Sequence, residues 1–343
     1  MHHRGISRDR APRMNCAVLG AGAWGAALAD RLARNEHEVR VWAYEPDVAE
    51  SINTVHRNRF LPEVTLPGSI TASTEMRDVV RGAEFVVLVA PSHVTRAVAE
   101  AAQPHLDGGA TIVVASKGIE QHTLARMTQV AEDVFGRQGA VALSGPTFAA
   151  EVARGQPTAI VAACKDGAPA RLVQQLFHGP AFRVYTQHDV TGVELGGAVK
   201  NVMALATGIA EGLELGFNAR AALITRGLAE ITRLGVALGA EPETFAGLAG
   251  VGDLVLTCTG ALSRNRALGV EIGRGLTLDE ALMGRETVAE GVITTRSAKA
   301  LSERVGVAMP IVEGAFAVLF EGQSPRDAIV ELMNRDPRAE RDE

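Results

Sequence analysis

Two hydrophobic rhythms divide this chain. Up to about residue 189, short apolar runs alternate with helix-compatible segments. Residues 16–19, 39–42, 69–73, 85–89, 111–115, 140–143, 158–163 and 182–185 read as strands. Phe85-Val-Val-Leu-Val89 is the clearest of them, because an unbroken apolar run of this length belongs to a strand covered on both faces of a parallel sheet. Segments 26–34, 46–56, 76–81, 94–102, 124–135 and 169–177 read as the intervening helices. This alternation predicts a doubly wound α/β domain. From Val190 the β-branched runs nearly vanish, and 190–211, 219–238, 292–305, 311–320 and 325–333 carry helical periodicity. The pattern predicts a leader at 1–13, an α/β domain at 14–189, an all-α domain at 190–335 and a charged tail at 336–343. Gly196, Gly197 and Gly208 mark places in the first long helix where another helix can cross closely.

The strand at 16–19 runs straight into Gly20-Ala-Gly-Ala-Trp-Gly25, and a helix and a second strand follow. In that order a G-x-G-x-x-G sequence has a physical meaning. Gly20 permits the tight turn, Gly22 lets a pyrophosphate approach the backbone, and Gly25 lets helix and strand pack closely. The helix that starts beside Ala23 and Trp24 turns unpaired N–H groups and a positive dipole end toward the phosphates. Glu45 lies beyond the second strand, where a carboxylate binds a ribose hydroxyl. The first domain is therefore a Rossmann-type dinucleotide-binding domain.

Composition narrows the partners. Of 343 residues, 47% are hydrophobic and 22% charged, so there is ample material for two cores. A net charge of −6 with no long basic run argues against nucleic acid, but still allows an anionic substrate in a local basic pocket. Cys16, Cys164 and Cys258 are far apart and set among apolar or small residues, which suits buried thiols in a reducing cytosol. The nine histidines form no H-x-x-x-H pair, so no metal site is expected. No run of apolar residues is long enough to span a bilayer, and the leader lacks the apolar core of a secretory signal.

Open α/β sheets bind ligands beyond the carboxyl ends of their strands, where Pro91-Ser-His93, Ser116-Lys117-Gly118 and Ser144-Gly-Pro-Thr147 lie. Lys117 directly follows a buried strand and either reaches the crevice or sits at a surface loop. Thr147 either caps the next helix or, with Gly145, contacts a ligand. Lys200 stands within Leu195-Gly-Gly-Ala-Val-Lys-Asn-Val-Met-Ala-Leu205, a stretch apolar enough to be buried nearly all round. Such a lysine must snorkel, pair with an acid or line a polar cavity. Gly196 and Gly197, one turn earlier, would leave room beside it for a substrate. Desolvation lowers a lysine's pKa toward working pH, which suits a general acid or base. Asp253, between Gly250-Val-Gly252 and Leu254-Val-Leu256, is either a helix cap or the partner of Lys200. Ser263 reads as an N-cap, with Arg264 and Asn265 in the first turn forming an anion site. Thr287-Val-Ala-Glu290 has the spacing of a capping box.

Taken together, these residues resemble the bacterial NAD(P)-dependent glycerol-3-phosphate dehydrogenases. The likeness is carried by GAGAWG at 20–25, SKG at 116–118, SGPTFA at 144–149, ELGGAVKN at 194–201, NARAALITRGLAE at 218–230, GLAGVGDLVLTCTG at 247–260 and SRNR at 263–266. Their order is the family's, and it extends from about Met14 to the last helix. The resemblance implies reversible reduction of dihydroxyacetone phosphate to sn-glycerol 3-phosphate for glycerophospholipid synthesis. It implies that Lys200 exchanges the proton with the substrate oxygen. Lys117, Gly145, Thr147, Asp253, Ser263, Arg264 and Asn265 would hold the substrate. Trp24, Tyr44, Lys117, Ala149, Arg264, Val288 and Glu290 would contact NAD(P)H. The second domain would be like that of the 6-phosphogluconate dehydrogenase group, and a homodimer in the cytoplasm is the expected setting.

One departure bears on the cofactor. Many family members carry a basic residue after the second strand, where the 2′-phosphate of NADP sits; here Tyr44 and Glu45 occupy that place. A carboxylate there favours the NAD ribose, so NADH is expected to serve at least as well as NADPH. Two other readings compete: a 3-hydroxy acid dehydrogenase of the same architecture, and a non-catalytic dinucleotide sensor.

Overall fold

The structure is a computed structural model describing residues 12–285, 289–336 and 339–340. Strands β1 (Asn15–Leu19), β2 (Glu38–Trp42), β3 (Thr71–Ser73), β4 (Phe85–Leu88), β5 (Thr111–Val114), β6 (Val141–Ser144), β7 (Thr158–Ala163) and β8 (Phe182–Gln187) form one sheet, in the order β3-β2-β1-β4-β5-β6-β7-β8. The side-chain period of two explains its layers. Cys16 and Val18 of β1, with Phe85 and Val87 of β4, face α1 (Ala23–Arg34), α2 (Pro46–Val55), α6 (Ala149–Ala153) and α7 (Gly167–Phe177). Their neighbours Ala17, Leu19, Val86 and Leu88 face α3 (Met76–Val80), α4 (Thr95–Ala102) and α5 (Met127–Phe135). This is the doubly wound sheet expected from the alternation.

Two local expectations change. Strands β1 to β6 pair in parallel, but β7 is antiparallel to β6 and β8 is parallel to β7. Helix α6 packs against α1 and the chain stays at the carboxyl edge of the sheet, so β7 re-enters from that edge. A run buried on both faces reads the same in either direction, and hydrophobic pattern cannot encode this reversal. The helix expected at 124–135 begins only at Met127: Leu124 has φ of 59°, and a bridge between Ile119 and Arg126 holds the preceding loop.

Beyond β8 the described chain is helical: α8 (Val190–Gly212), α9 (Gly216–Ala237), α10 (Pro242–Phe245), α11 (Asp253–Thr259), α12 (Arg264–Gly273), α13 (Leu278–Leu282), α14 (Glu290–Val305), α15 (Pro310–Phe320) and α16 (Pro325–Met333). Helix α8 is apolar all round because α9, α11, α12 and α14 pack about it. It also runs alongside β6: Val190 and Val193 share a cluster with Ala142 and Ala163, and Gly197 abuts Ser144. Among the described residues no single helix is long and apolar enough to cross a membrane.

Close crossing occurs at Gly208, as its position suggested, and it is part of a ladder. A Cβ added at Gly208 would lie 2.1 Å from the Arg266 carbonyl oxygen, and one at Gly212 would lie 2.3 Å from that of Val270. Reciprocally, Gly269 and Gly273 would strike the carbonyl oxygens of Leu205 and Ile209 at 2.2 and 2.3 Å. Helices α8 and α12 thus touch backbone to backbone, which holds the first turn of α12 at a set distance from Lys200. Overpacking a rigid contact costs about 1–3 kcal/mol. Gly269→Ala should therefore lower the melting temperature by several degrees in a thermal unfolding scan, whereas Gly109→Ala, in open space and without a left-handed backbone, should change it little.

Candidate active site

The loops that follow β1, β4, β5 and β6 lie side by side at one edge of the sheet. The first is the glycine-rich turn. Gly20 has φ of 130°, and its N–H donates to the Trp42 carbonyl at 3.1 Å. A Cβ at Gly25 would fall 1.9 Å from the Gly20 carbonyl oxygen, while one at Gly22 would meet nothing within 4 Å. The turn is thus closed beneath and open above, with α1 starting at Ala23. Trp24 is half-buried, and among the described residues its Nε1 is a buried donor without a partner. These features fit a dinucleotide phosphate cradle. Tyr44 is 78% exposed at the end of β2, and Glu45 is the N-cap residue of α2 without bonding through its side chain.

Lys117 follows β5 and reaches into the crevice. Its Nζ donates to the Gly145 carbonyl at 3.0 Å and to Asp253 Oδ2 at 2.7 Å. Lys200 projects from the middle of α8 and donates to Asp253 Oδ1 and, at 2.8 Å, to Thr257 Oγ1. One fully buried carboxylate therefore lies between two ammonium groups. Asp253 occupies the first turn of α11 rather than capping it. Lys200 is buried and does not snorkel. Burial pulls its pKa down from 10.5 to about 7; the charge of Asp253 opposes the shift and that of Lys117 adds to it. A lysine so tuned exchanges a proton near neutral pH.

Of the two roles expected for the neighbouring glycines, close packing holds and the substrate recess does not. A Cβ at Gly196 would lie 2.3 Å from the Ala249 carbonyl oxygen, and one at Gly197 would lie 2.4 Å from Ser144 Oγ. Protein fills both spaces, so these glycines admit the Leu248–Gly252 turn and β6 against α8 rather than leaving room for a substrate. Thr147 does not cap α6; Phe148 holds that position, and Thr147 Oγ1 donates to the Gly145 carbonyl at 3.1 Å. Ala149 is the first residue of α6.

Ser263 is the N-cap of α12, its Oγ accepting from the Arg266 N–H at 3.3 Å. Asn265 is committed inward: its Nδ2 donates to Asn201 Oδ1 at 3.0 Å and its Oδ1 accepts from the Gly291 N–H at 2.9 Å. Arg264 keeps an exposed surface, yet enough protein surrounds it that desolvation lowers its pKa, with Glu290 opposing. Glu290 begins α14 and crosses to the sheet half, where Oε1 accepts from the Ser92 N–H at 3.0 Å and Oε2 from the Ser92 hydroxyl at 2.6 Å. Burial raises the Glu290 pKa against those hydrogen bonds. Thr287 and Val288 lie outside the described residues.

Three partners in this constellation escaped the sequence reading. Thr257 stands one turn after Asp253, a spacing that would have flagged it had 253–259 been recognised as a helix. Ser92 lies in a loop read as a candidate ligand-binding cluster, but its partner Glu290, 198 residues away, was not foreseen. Glu194 accepts from Arg126 Nη1 at 2.7 Å and from the Thr128 N–H and hydroxyl at 2.7 and 2.6 Å. Burial raises its pKa, with the charge of Arg126 opposing.

Comparison with known proteins places this geometry. Residues 15–170 match the model of the NAD-dependent glycerol-3-phosphate dehydrogenase N-terminus, and residues 189–330 match that of the C-terminus. A glycerol-3-phosphate dehydrogenase [NAD(P)+] of Syntrophotalea carbinolica is 53% identical over 333 residues, covering 96% of this chain and 100% of its own. The crystal structure of glycerol-3-phosphate dehydrogenase from Coxiella burnetii superposes with a TM-score of 0.91 at 38% identity, covering 94% of this chain and 99% of that one. The Saccharomyces cerevisiae enzyme gives 0.80 at 28% identity, covering 94% and 100%. The chain belongs to the NAD-dependent glycerol-3-phosphate dehydrogenase family.

Proposed function

We propose that this protein reduces dihydroxyacetone phosphate reversibly to sn-glycerol 3-phosphate with NAD(P)H, supplying glycerophospholipid synthesis in the cytoplasm. The observation that carries the reading is the buried Lys117–Asp253–Lys200 bridge beside an open glycine-rich turn. Residues 14–189 would hold the dinucleotide and 190–335 the substrate.

Gly20, Gly22, Ala23, Trp24, Gly25, Tyr44, Ala149 and Glu290 would hold NAD(P)H, which when bound would supply the hydride for the substrate's carbonyl carbon. Its oxygen becomes an alkoxide and takes a proton from Lys200 Nζ, leaving a neutral amine that solvent reprotonates. In oxidation the amine takes the hydroxyl proton. Asp253 and Thr257 hold Nζ in place, and Lys117, with Gly145 and Thr147, keeps a second positive charge near the developing oxyanion. Arg264 at the head of α12, beside Ser263 and Asn265, suits the phosphate of the substrate and the near end of the cofactor. Glu45 after β2 favours a free 2′-hydroxyl over a 2′-phosphate, and Tyr44 is exposed for stacking on adenine under either cofactor. A homodimer fits the exposed apolar side chains of Leu215 and Phe217 at the head of α9.

The primary test is oxidation of NADH by dihydroxyacetone phosphate. Turnover is expected, with kcat/KM for NADH at least equal to that for NADPH. Turnover on a 3-hydroxy acid alone would favour the other dehydrogenase reading, and a large NADPH preference would overturn the cofactor assignment. Lys200→Ala should bind NADH normally but lose about 10²–10⁴ in kcat. Because the Lys200 pKa is lowered to about 7, reduction, which needs the ammonium, should slow as pH rises above that value, and oxidation should slow below it. A rate flat across that range would contradict Lys200 as the proton donor. Light scattering should give about twice the 36.1 kDa of one chain; a monomer mass would remove the dimer.

A further inference from the structure

The connection between α2 and β3 is long and irregular, yet it is packed. Asn58, Leu61, Val64, Leu66 and Ile70 are buried, and the four apolar ones join the core of β1, α1 and α2. His56 adopts φ of 57°, and its carbonyl accepts from the Leu66 N–H at 2.9 Å, closing a compact Ω-type loop. This loop sends one polar side chain into the glycine-rich turn. Asn58 is 1% exposed; its Nδ2 donates to the Ala21 carbonyl at 2.7 Å, and its Oδ1 accepts from the Phe60 N–H at 2.9 Å.

Ala21 lies between the first two glycines of the turn, and its carbonyl belongs to the same planar unit as the Gly22 N–H. In a trans peptide these two groups point in opposite directions. Drawing the carbonyl onto Asn58 therefore turns the Gly22 N–H away from the loop. Gly22 is exposed, and its N–H has no partner among the described residues. Without the carboxamide the Ala21 carbonyl would lose its buried donor, and the peptide would be freer to rotate about ψ of Ala21 and φ of the flexible Gly22. We propose that Asn58 is a positioning residue for the cofactor, holding the Ala21–Gly22 peptide so that the Gly22 N–H faces the dinucleotide phosphates. This rests on the reading that the glycine-rich turn holds the dinucleotide.

The test compares a ligand that carries the pyrophosphate with one that does not. Binding of ADP-ribose and of adenosine is measured by titration calorimetry or by competition against NADH. Asn58→Ala removes the donor, and Asn58→Asp keeps the shape and the acceptor for Phe60 while setting a carboxylate oxygen against the Ala21 carbonyl. Both should weaken ADP-ribose by about tenfold or more, leaving adenosine affinity, kcat and the KM for dihydroxyacetone phosphate within twofold of the parent. Leu61→Ala, which loosens the loop but keeps the amide, should not produce this selective loss. Equal weakening of both ligands, unchanged ADP-ribose affinity in a folded variant, or the same selectivity from Leu61→Ala would overturn the proposal. Should the Asn58 variants fail to fold, the parent protein still decides. Exchange of the Gly22 amide hydrogen should slow when ADP-ribose binds, and an unchanged rate overturns the assignment. A parent that binds no ADP-ribose defeats the reading of the turn itself; a parent that binds it, with Asn58 variants that bind equally well, defeats only this inference.

Discussion

One buried carboxylate sets the conditions for everything else at this site. Asp253 is fully enclosed, and an ionised acid in that position is tolerable only with positive partners at hydrogen-bond distance. Lys117 and Lys200 provide them from opposite sides, each arriving from a different half of the chain. The arrangement is reciprocal, because the two ammonium groups could not lie so close without the acid between them. Desolvation still wins for Lys200, pulling its pKa down to about 7 against the charge of Asp253.

The same logic recurs across the seam between sheet and helices. Glu194, Asp253 and Glu290 all belong to the helical half, and all three accept from donors on the sheet half: Arg126 and Thr128, Lys117, and Ser92. Thr128 offers its N–H from the first turn of α5, where the helix dipole also favours an anion. Apolar surfaces alone would let the halves slide over each other with little change in energy. Satisfied buried polar contacts do not allow that, since a small displacement leaves acids without donors.

Much of this was legible in the sequence because it depends on local pattern. The buried runs in β4 and β5, the glycine-rich turn after β1 and the lysine stranded in an apolar helix each declare themselves within a dozen residues. What was not legible depends on partners distant in the chain. Nothing near Gly196 or Gly197 says that Ala249 and Ser144 fill the space beside them, so two packing glycines read as a substrate recess. The reversal of β7 was hidden because hydrophobicity has no direction. Helix α11 was missed because it is short and follows a glycine-rich kink at Leu248–Gly252, and with it went Thr257. Ser92 and Glu290 are individually ordinary, and only the folded chain makes them a pair.

The reversal of β7 and β8 has a consequence for how Lys200 is delivered to Asp253. Because both strands run against β1 to β6, the chain leaves β8 at the far edge of the sheet from the crevice. Helix α8 must then climb back along β6, with Val193 near Ala142 and Gly197 near Ser144. The ten helical steps from Val190 to Lys200 rise about 15 Å, close to the depth of the sheet. That stretch is a ruler. Adding or removing a single residue in it would shift Lys200 by about 1.5 Å and turn it by about 100° away from Asp253. Along this stretch it is the count of residues, more than their side chains, that sets where the Lys200 ammonium lies.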